Sequence, residues 1–154
     1  NLLGLYHLHV AEEGMAYFEG LEGYSSALED MIRSNLEVCV FGSTDIVSVR
    51  PDASEVLRKS LQRRALAKVS TRVIFDTSLE ESKDLTIFIS EATKKYMKHK
   101  FWGNQSFGHG EIAIYGGTLV FTSYDEKLIS LVIKNPSLAQ IFQSVFETAW
   151  ESGN

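Results

Sequence analysis

The stretch His109-Gly110-Glu111-Ile112-Ala113-Ile114-Tyr115-Gly116-Gly117-Thr118-Leu119-Val120-Phe121-Thr122-Ser123 decides the fold. Residues 111–115 and 119–123 are apolar, β-prone runs on either side of Gly116-Gly117, and such a pair suits a tight turn with positive φ. The spacing predicts an antiparallel hairpin. Polar residues stand where its strands begin and end, which makes this the first place to look for a site. A third strand over 128–133 follows at once. Asn135-Pro136 then opens a last helix, with Asn as N-cap and Pro at the first helical position. Leu138, Ile141, Phe142, Val145 and Ala149 make its apolar stripe, widened by Phe146 and Trp150. At roughly 1.5 to 3 kcal/mol per large side chain, burying that stripe makes the helix indispensable to the core.

Upstream of the hairpin, strands and helices alternate. Residues 15–18 suit a short strand, and Glu19-Gly20-Leu21-Glu22-Gly23 suits a turn into a helix over 22–34. Tyr24, Ala27, Leu28 and Met31 share one face of that helix, and Asn35 is its stop. The apolar run 36–41 reads as an interior strand, ended by Gly42-Ser43-Thr44-Asp45. Asp52 and Glu55 have capping-box spacing, with Pro51 just outside, so a second helix is expected over 53–68. Val56, Leu57, Leu61 and Ala65 would form its buried stripe, leaving Arg58, Lys59, Gln62, Arg63 and Arg64 on other faces as a solvated or partner-binding surface. A strand over 72–76 follows, then a third helix from Leu79, where Ser78 and Glu81 repeat the capping spacing against the β-prone run 85–89. The stretch 94–102 interleaves lysines with aromatics. It fits either a strand with one apolar and one basic face or a nucleic-acid contact with bases stacked on rings.

The alternation, with three strands bunched before the final helix, implies an α/β fold: a mixed β-sheet flanked by helices on both faces. At 154 residues one domain is expected, 15–154, preceded by a tail or linker over 1–14. Apolar residues make up 44% and charged residues 23%, the balance of a packed globular chain. A net charge of −5 offers no general attraction to nucleic acid. The single Cys39, between Val38 and Val40, cannot form an intrachain disulfide and suits a reducing cytoplasm. No apolar run approaches the roughly 18 residues of a membrane span. His7 and His9 would share a strand face, but no matching carboxylate or thiol ligand accompanies them, so neither a metal nor another cofactor is expected. Neither a P-loop nor a dinucleotide fingerprint occurs.

Three segments together carry a resemblance: Tyr17-Phe18-Glu19-Gly20-Leu21-Glu22-Gly23 with the helix after it, Ile112 through Ser123, and Ser137-Leu138-Ala139-Gln140-Ile141-Phe142 running to Phe146 and Trp150. Their order resembles the C-terminal effector domain of TrmB-like transcriptional regulators, which is similar to one half of a phospholipase D fold. The phospholipase D motif is His-x-Lys-x-x-x-x-Asp. Its His attacks phosphorus while its Lys neutralises phosphate oxygens. His109 occupies the His position, but Glu111 and Gly116 stand where Lys and Asp belong. A carboxylate at the Lys position repels a phosphodiester.

The resemblance therefore implies a non-catalytic, ligand-sensing and dimerising domain of a cytoplasmic regulator. Its effector would be a small molecule such as a sugar, and its DNA contacts would lie in a further domain upstream of Asn1. The candidate ligand-binding residues are Ser43, Thr44, Asp45, His109, Glu111, Ser123 and Tyr124, whose hydroxyl and carboxylate groups suit a polyol. A phospholipase D-like phosphodiesterase or nuclease acting through His109 is the alternative.

Overall fold

The computed structural model describes residues 14–76, 88–103 and 105–153. The strands are β1 (Met15–Glu19), β2 (Val38–Gly42), β3 (Thr71–Phe75), β4 (Met97–Phe101), β5 (Gly110–Tyr115), β6 (Thr118–Tyr124) and β7 (Leu128–Lys134). The helices are α1 (Gly20–Ser34), α2 (Ile46–Val49), α3 (Pro51–Leu66) and α4 (Pro136–Ser152). One seven-stranded sheet runs in the order β1-β7-β6-β5-β2-β3-β4. β2, β3 and β4 pair in parallel, whereas β5, β6, β7 and β1 pair antiparallel. The sheet is mixed, as the alternation of elements predicts. The expected tail falls largely in 1–13 and the expected third helix in 77–87, both outside the described residues, as are His7 and His9.

The hairpin forms as its glycines require. Tyr115 pairs with Thr118, leaving Gly116-Gly117 as the two-residue turn. Gly116 has φ +56°, and a Cβ there would come within 2.8 Å of the Leu36 side chain, so both backbone and space select glycine.

Because side chains alternate across a strand, the central strands feed two cores. Val38, Val73, Phe75, Ala113, Tyr115, Val120 and Tyr124 pack with α1 and α3. Cys39, Phe41, Ile74, Ile114 and Leu119 pack with α4. Tyr24, Ala27, Leu28 and Met31 of α1 are all buried, and Asn35 ends the helix in the left-handed conformation at φ 55°. In α4 the Asn135 side chain accepts the Leu138 N–H at 3.0 Å, with Pro136 at the first helical position.

Three expectations are corrected. The helix expected over 53–68 begins at Pro51, whose fixed φ suits the first helical turn, and it ends at Leu66. Asp52 then lies inside the helix and binds Arg50, and Glu55 binds Arg58, so no reciprocal capping box forms. Arg64, expected on an open basic face, is 2% exposed. It lies three residues after Leu61 and seven after Leu57, on the same stripe. Finally, Leu138, Ile141 and Val145, expected to be buried, are 42%, 58% and 49% exposed; only Ala139, Phe146 and Ala149 of α4 are fully buried. The helix rests on β2, β5 and β6, and that edge of it projects past the surface it covers.

α4 is also held electrostatically. Arg72 on β3 forms ion pairs with Glu147 of α4 and with Glu37, and its guanidinium lies 5.2 Å and 5.3 Å from the ring centroids of Phe146 and Trp150. Lys100 on β4 donates to the Trp150 carbonyl at 2.7 Å, satisfying an acceptor near the end of the helix.

Candidate functional site

Four chain segments converge where β2 and β3 end, β5 begins and β6 ends. The Ser43 N–H donates to Gly110 O at 3.2 Å, and the Tyr124 N–H donates to His109 O at 2.9 Å, extending the ladders past the strands. Beneath them Tyr124 is fully buried, and its hydroxyl donates toward Ser43 O at 3.2 Å and Gly110 O at 3.3 Å. Burial drives its phenol well above the usual range, so it stays protonated as a donor.

Asp76 is the organiser that sequence reasoning missed. It is 4% exposed and takes the Thr44 N–H at 3.3 Å and the Phe107 N–H at 3.0 Å, tying the loop after β2 to the loop before β5. Its only signal in the sequence is a carboxylate directly after the apolar run Val73-Ile74-Phe75.

On this platform Asp45 and His109 meet. Asp45 Oδ2 lies 2.6 Å from His109 Nδ1, while its Oδ1 accepts the Ser43 hydroxyl at 2.6 Å. An ionised carboxylate can only accept, so Nδ1 carries the proton and a neutral ring turns the Nε2 lone pair outward. Nε2 is 4.0 Å from Asp125 Oδ1, and Asp125 also accepts from Ser123 Oγ at 3.4 Å. An ordered His–Asp pair of this kind can accept a proton, bind a hydroxyl or act as a nucleophile. The shallow cleft around it is lined by His109, Ser123, Asp125, Glu126 and Lys127. With Asp45 behind the ring, carboxylates outnumber the one lysine among these described residues.

The candidates therefore separate. Ser43, Asp45 and His109 form one hydrogen-bonded chain, Ser123 joins the cleft through Asp125, and Thr44 contributes its backbone to the Asp76 tie. Tyr124 lies under the floor. Glu111 turns the other way, accepting the Tyr24 hydroxyl at 2.9 Å, and desolvation raises its carboxyl pKa.

The basic and aromatic stretch forms the edge strand β4. Its rings are engaged within the chain: Phe101 stacks on Phe75 at 5.9 Å, and Trp102 packs against Phe41 and Phe107. Among the described residues no group of three or more His, Cys, Asp or Glu side chains is placed to hold a metal ion. No described helix is long and apolar enough to cross a membrane.

Neither a family model nor a curated protein matches the sequence. Solved structures do match. The archaeal chromatin protein TrmBL2, described as showing a novel mode of DNA binding, superposes with a TM-score of 0.62 at 14% identity, over 99% of this chain and 59% of that one. This chain thus spans about three fifths of that protein. Nuc from Salmonella typhimurium, a phospholipase D family member, superposes with a TM-score of 0.64 at 14% identity, over 91% of this chain and 95% of that one. NucT from Helicobacter pylori gives 0.58 at 14% identity, over 90% and 96%. Identities this low speak to architecture alone, and the architecture is phospholipase D-like.

Proposed function

We propose that the chain is a non-catalytic, ligand-sensing and dimerising domain of a cytoplasmic transcriptional regulator. The observation that carries this reading is Glu111. Where phosphodiester chemistry needs a cation two residues after the histidine, this chain has a carboxylate that turns inward to Tyr24. The remaining groups around His109 are mainly acidic and would repel a phosphodiester. They suit a neutral polyol, with Asp45, Asp125 and Ser123 as hydrogen-bonding partners. The likeness to a longer DNA-binding chromatin protein supports a division of labour in which DNA is held by a further domain. Pairing would use the exposed strip Leu138, Ile141 and Val145, which adjoins a mostly apolar groove of about 580 Å³ lined by Phe121, Ile129 and Leu131. A sensor of this kind works only if its effector binds two dimer states unequally.

Calorimetric titration of the chain with a panel of sugars and polyols tests the reading. Saturable heat that disappears in His109→Ala is expected; absence of binding across the panel would leave a purely pairing role. A second reading, phosphodiester hydrolysis, is favoured by the 2.6 Å contact that orients His109. It requires turnover of bis-para-nitrophenyl phosphate that is lost in His109→Ala, and no turnover is expected.

A further inference from the structure

We propose that the cavity beneath Arg64 binds a small carboxylate anion of formate or acetate size. The cavity lies between the sheet and helices α1 and α3; it shares no lining residue with the His109 cleft, although Ser43 on its wall bonds Asp45, and the inference holds under either reading of that cleft. Its walls come from α1, α3 and strands β2, β3, β4 and β5.

Arg64 carries the argument. The side chain is 2% exposed, yet no carboxylate among the described residues lies within ion-pair distance of its guanidinium. Its Nε has no hydrogen-bond partner. Nη1 reaches the Thr71 hydroxyl only at 3.4 Å, and Nη2 faces the Met31 thioether at 3.2 Å, a weak acceptor. A guanidinium keeps its charge in a protein, so five donors and a full positive charge are buried with two poor partners. Among the carboxylates only Glu111 acts on it, through its charge and without an ion pair or hydrogen bond, and burying a charge so incompletely matched is unfavourable. One turn earlier on α3, Ser60 Oγ is also buried without a partner, so this stripe of the helix holds two unmet polar groups.

The space beside Arg64 has the right scale. About 30 Å³ is open to the centres of water-sized molecules, room for roughly two waters or one small anion. Water would supply acceptors without neutralising the charge. A carboxylate supplies both, and its paired oxygens match the guanidinium fork. Leu28, Leu57, Leu61 and Val73 leave an apolar wall for hydrogen or methyl. Glu111 lines the same cavity; burial raises its carboxyl pKa against the Tyr24 hydrogen bond and the Arg64 charge, which both lower it, and that net rise limits its opposition to an anion.

The test is calorimetric unfolding of the chain in sodium formate, acetate or benzoate, with ionic strength balanced by sodium fluoride. Formate and acetate should raise Tm saturably, while benzoate, too large for the cavity, should not. Arg64→Met keeps similar volume without the charge and should abolish the saturable response. Arg64→Lys keeps a cation without the fork and should weaken binding about tenfold or more, so a variant remains informative if the other fails to fold. No saturable rise, an equal rise in benzoate, an unchanged response in a folded variant, or only water in the cavity of crystals grown in formate would each overturn the proposal.

Discussion

The face of the sheet under α1 and α3 is closed to solvent yet holds charge in its interior, with Arg64 at 2% exposure and Glu111 turned toward Tyr24; the face under α4 is mostly apolar yet partly open, with Ile141 at 58% and its charge in the half-exposed pairs of Arg72. The difference is one of coverage. Strands lie about 4.8 Å apart and a helix with its side chains is about 10 Å wide, so one helix roofs roughly two or three strands. α1 and α3 pack side by side on one face, while among the described helices α4 alone serves the other, over β2, β5 and β6. Apolar character therefore marks what can be buried, and the number of helices on a face determines what is.

The comparison breaks most sharply at Phe146. This ring is fully buried and meets Phe41 edge-on at 5.3 Å and Trp150 in a stack at 5.8 Å, with the Arg72 guanidinium over it. Phe146→Ala should cost about 3 to 5 kcal/mol in urea unfolding. A cost below about 1 kcal/mol would mean that α4 is not the lid of that core.

The second test uses sign rather than size, because each face holds a glutamate perturbed in the opposite direction. Burial raises the Glu111 carboxyl, with the Tyr24 hydrogen bond and Arg64 opposing. Its contribution to stability is present below about pH 4 and is lost as pH rises through the raised folded pKa. Glu111→Gln should therefore gain on the native chain in going from pH 4 to pH 7. Glu147 is held low chiefly by the hydrogen bond from Arg72. Its contribution is present above about pH 4 and is lost as pH falls through the lowered folded pKa. Glu147→Gln should lose stability at pH 7 and close the gap in acid, by a small amount because that carboxylate is 44% exposed. Urea midpoints across pH 3 to 7 would decide both, and equal signs would refute the contrast.

Much of the architecture was legible because local chemistry and tertiary contacts agreed. Gly116-Gly117, Asn135-Pro136 and the Tyr24, Ala27, Leu28, Met31 stripe each specify an element on their own, and each element formed. Arg64 was legible in principle, since its spacing from Leu57 and Leu61 puts it on the buried stripe, but its charge argued for the surface. The exposure of Leu138, Ile141 and Val145 was not legible, because periodicity cannot count how many strands a helix will cover. The site divides in the same way. Asp45 and His109 are 64 residues apart, and their contact needs β2 beside β5 in antiparallel register. Asp76 joins them only because β3 runs parallel to β2 and ends at the same edge.

The smallest effect should come from the open strip. On the same helix, Ala149 is 3% exposed and Ile141 is 58% exposed. A glutamate at 149 would place an unpaired charge in the core cluster that holds Phe41 and Ile74, where burial penalises it heavily. A glutamate at 141 would meet water, so Ile141→Glu should change the unfolding free energy of the dilute chain by no more than about 0.5 kcal/mol. If a second copy covers the strip, the same substitution should shift light-scattering mass toward monomer at concentrations where the native chain pairs. Ile141→Glu that unfolds the chain as Ala149→Glu does would mean that Ile141 belongs to the core, and the contrast between the two faces would fail at its outer edge.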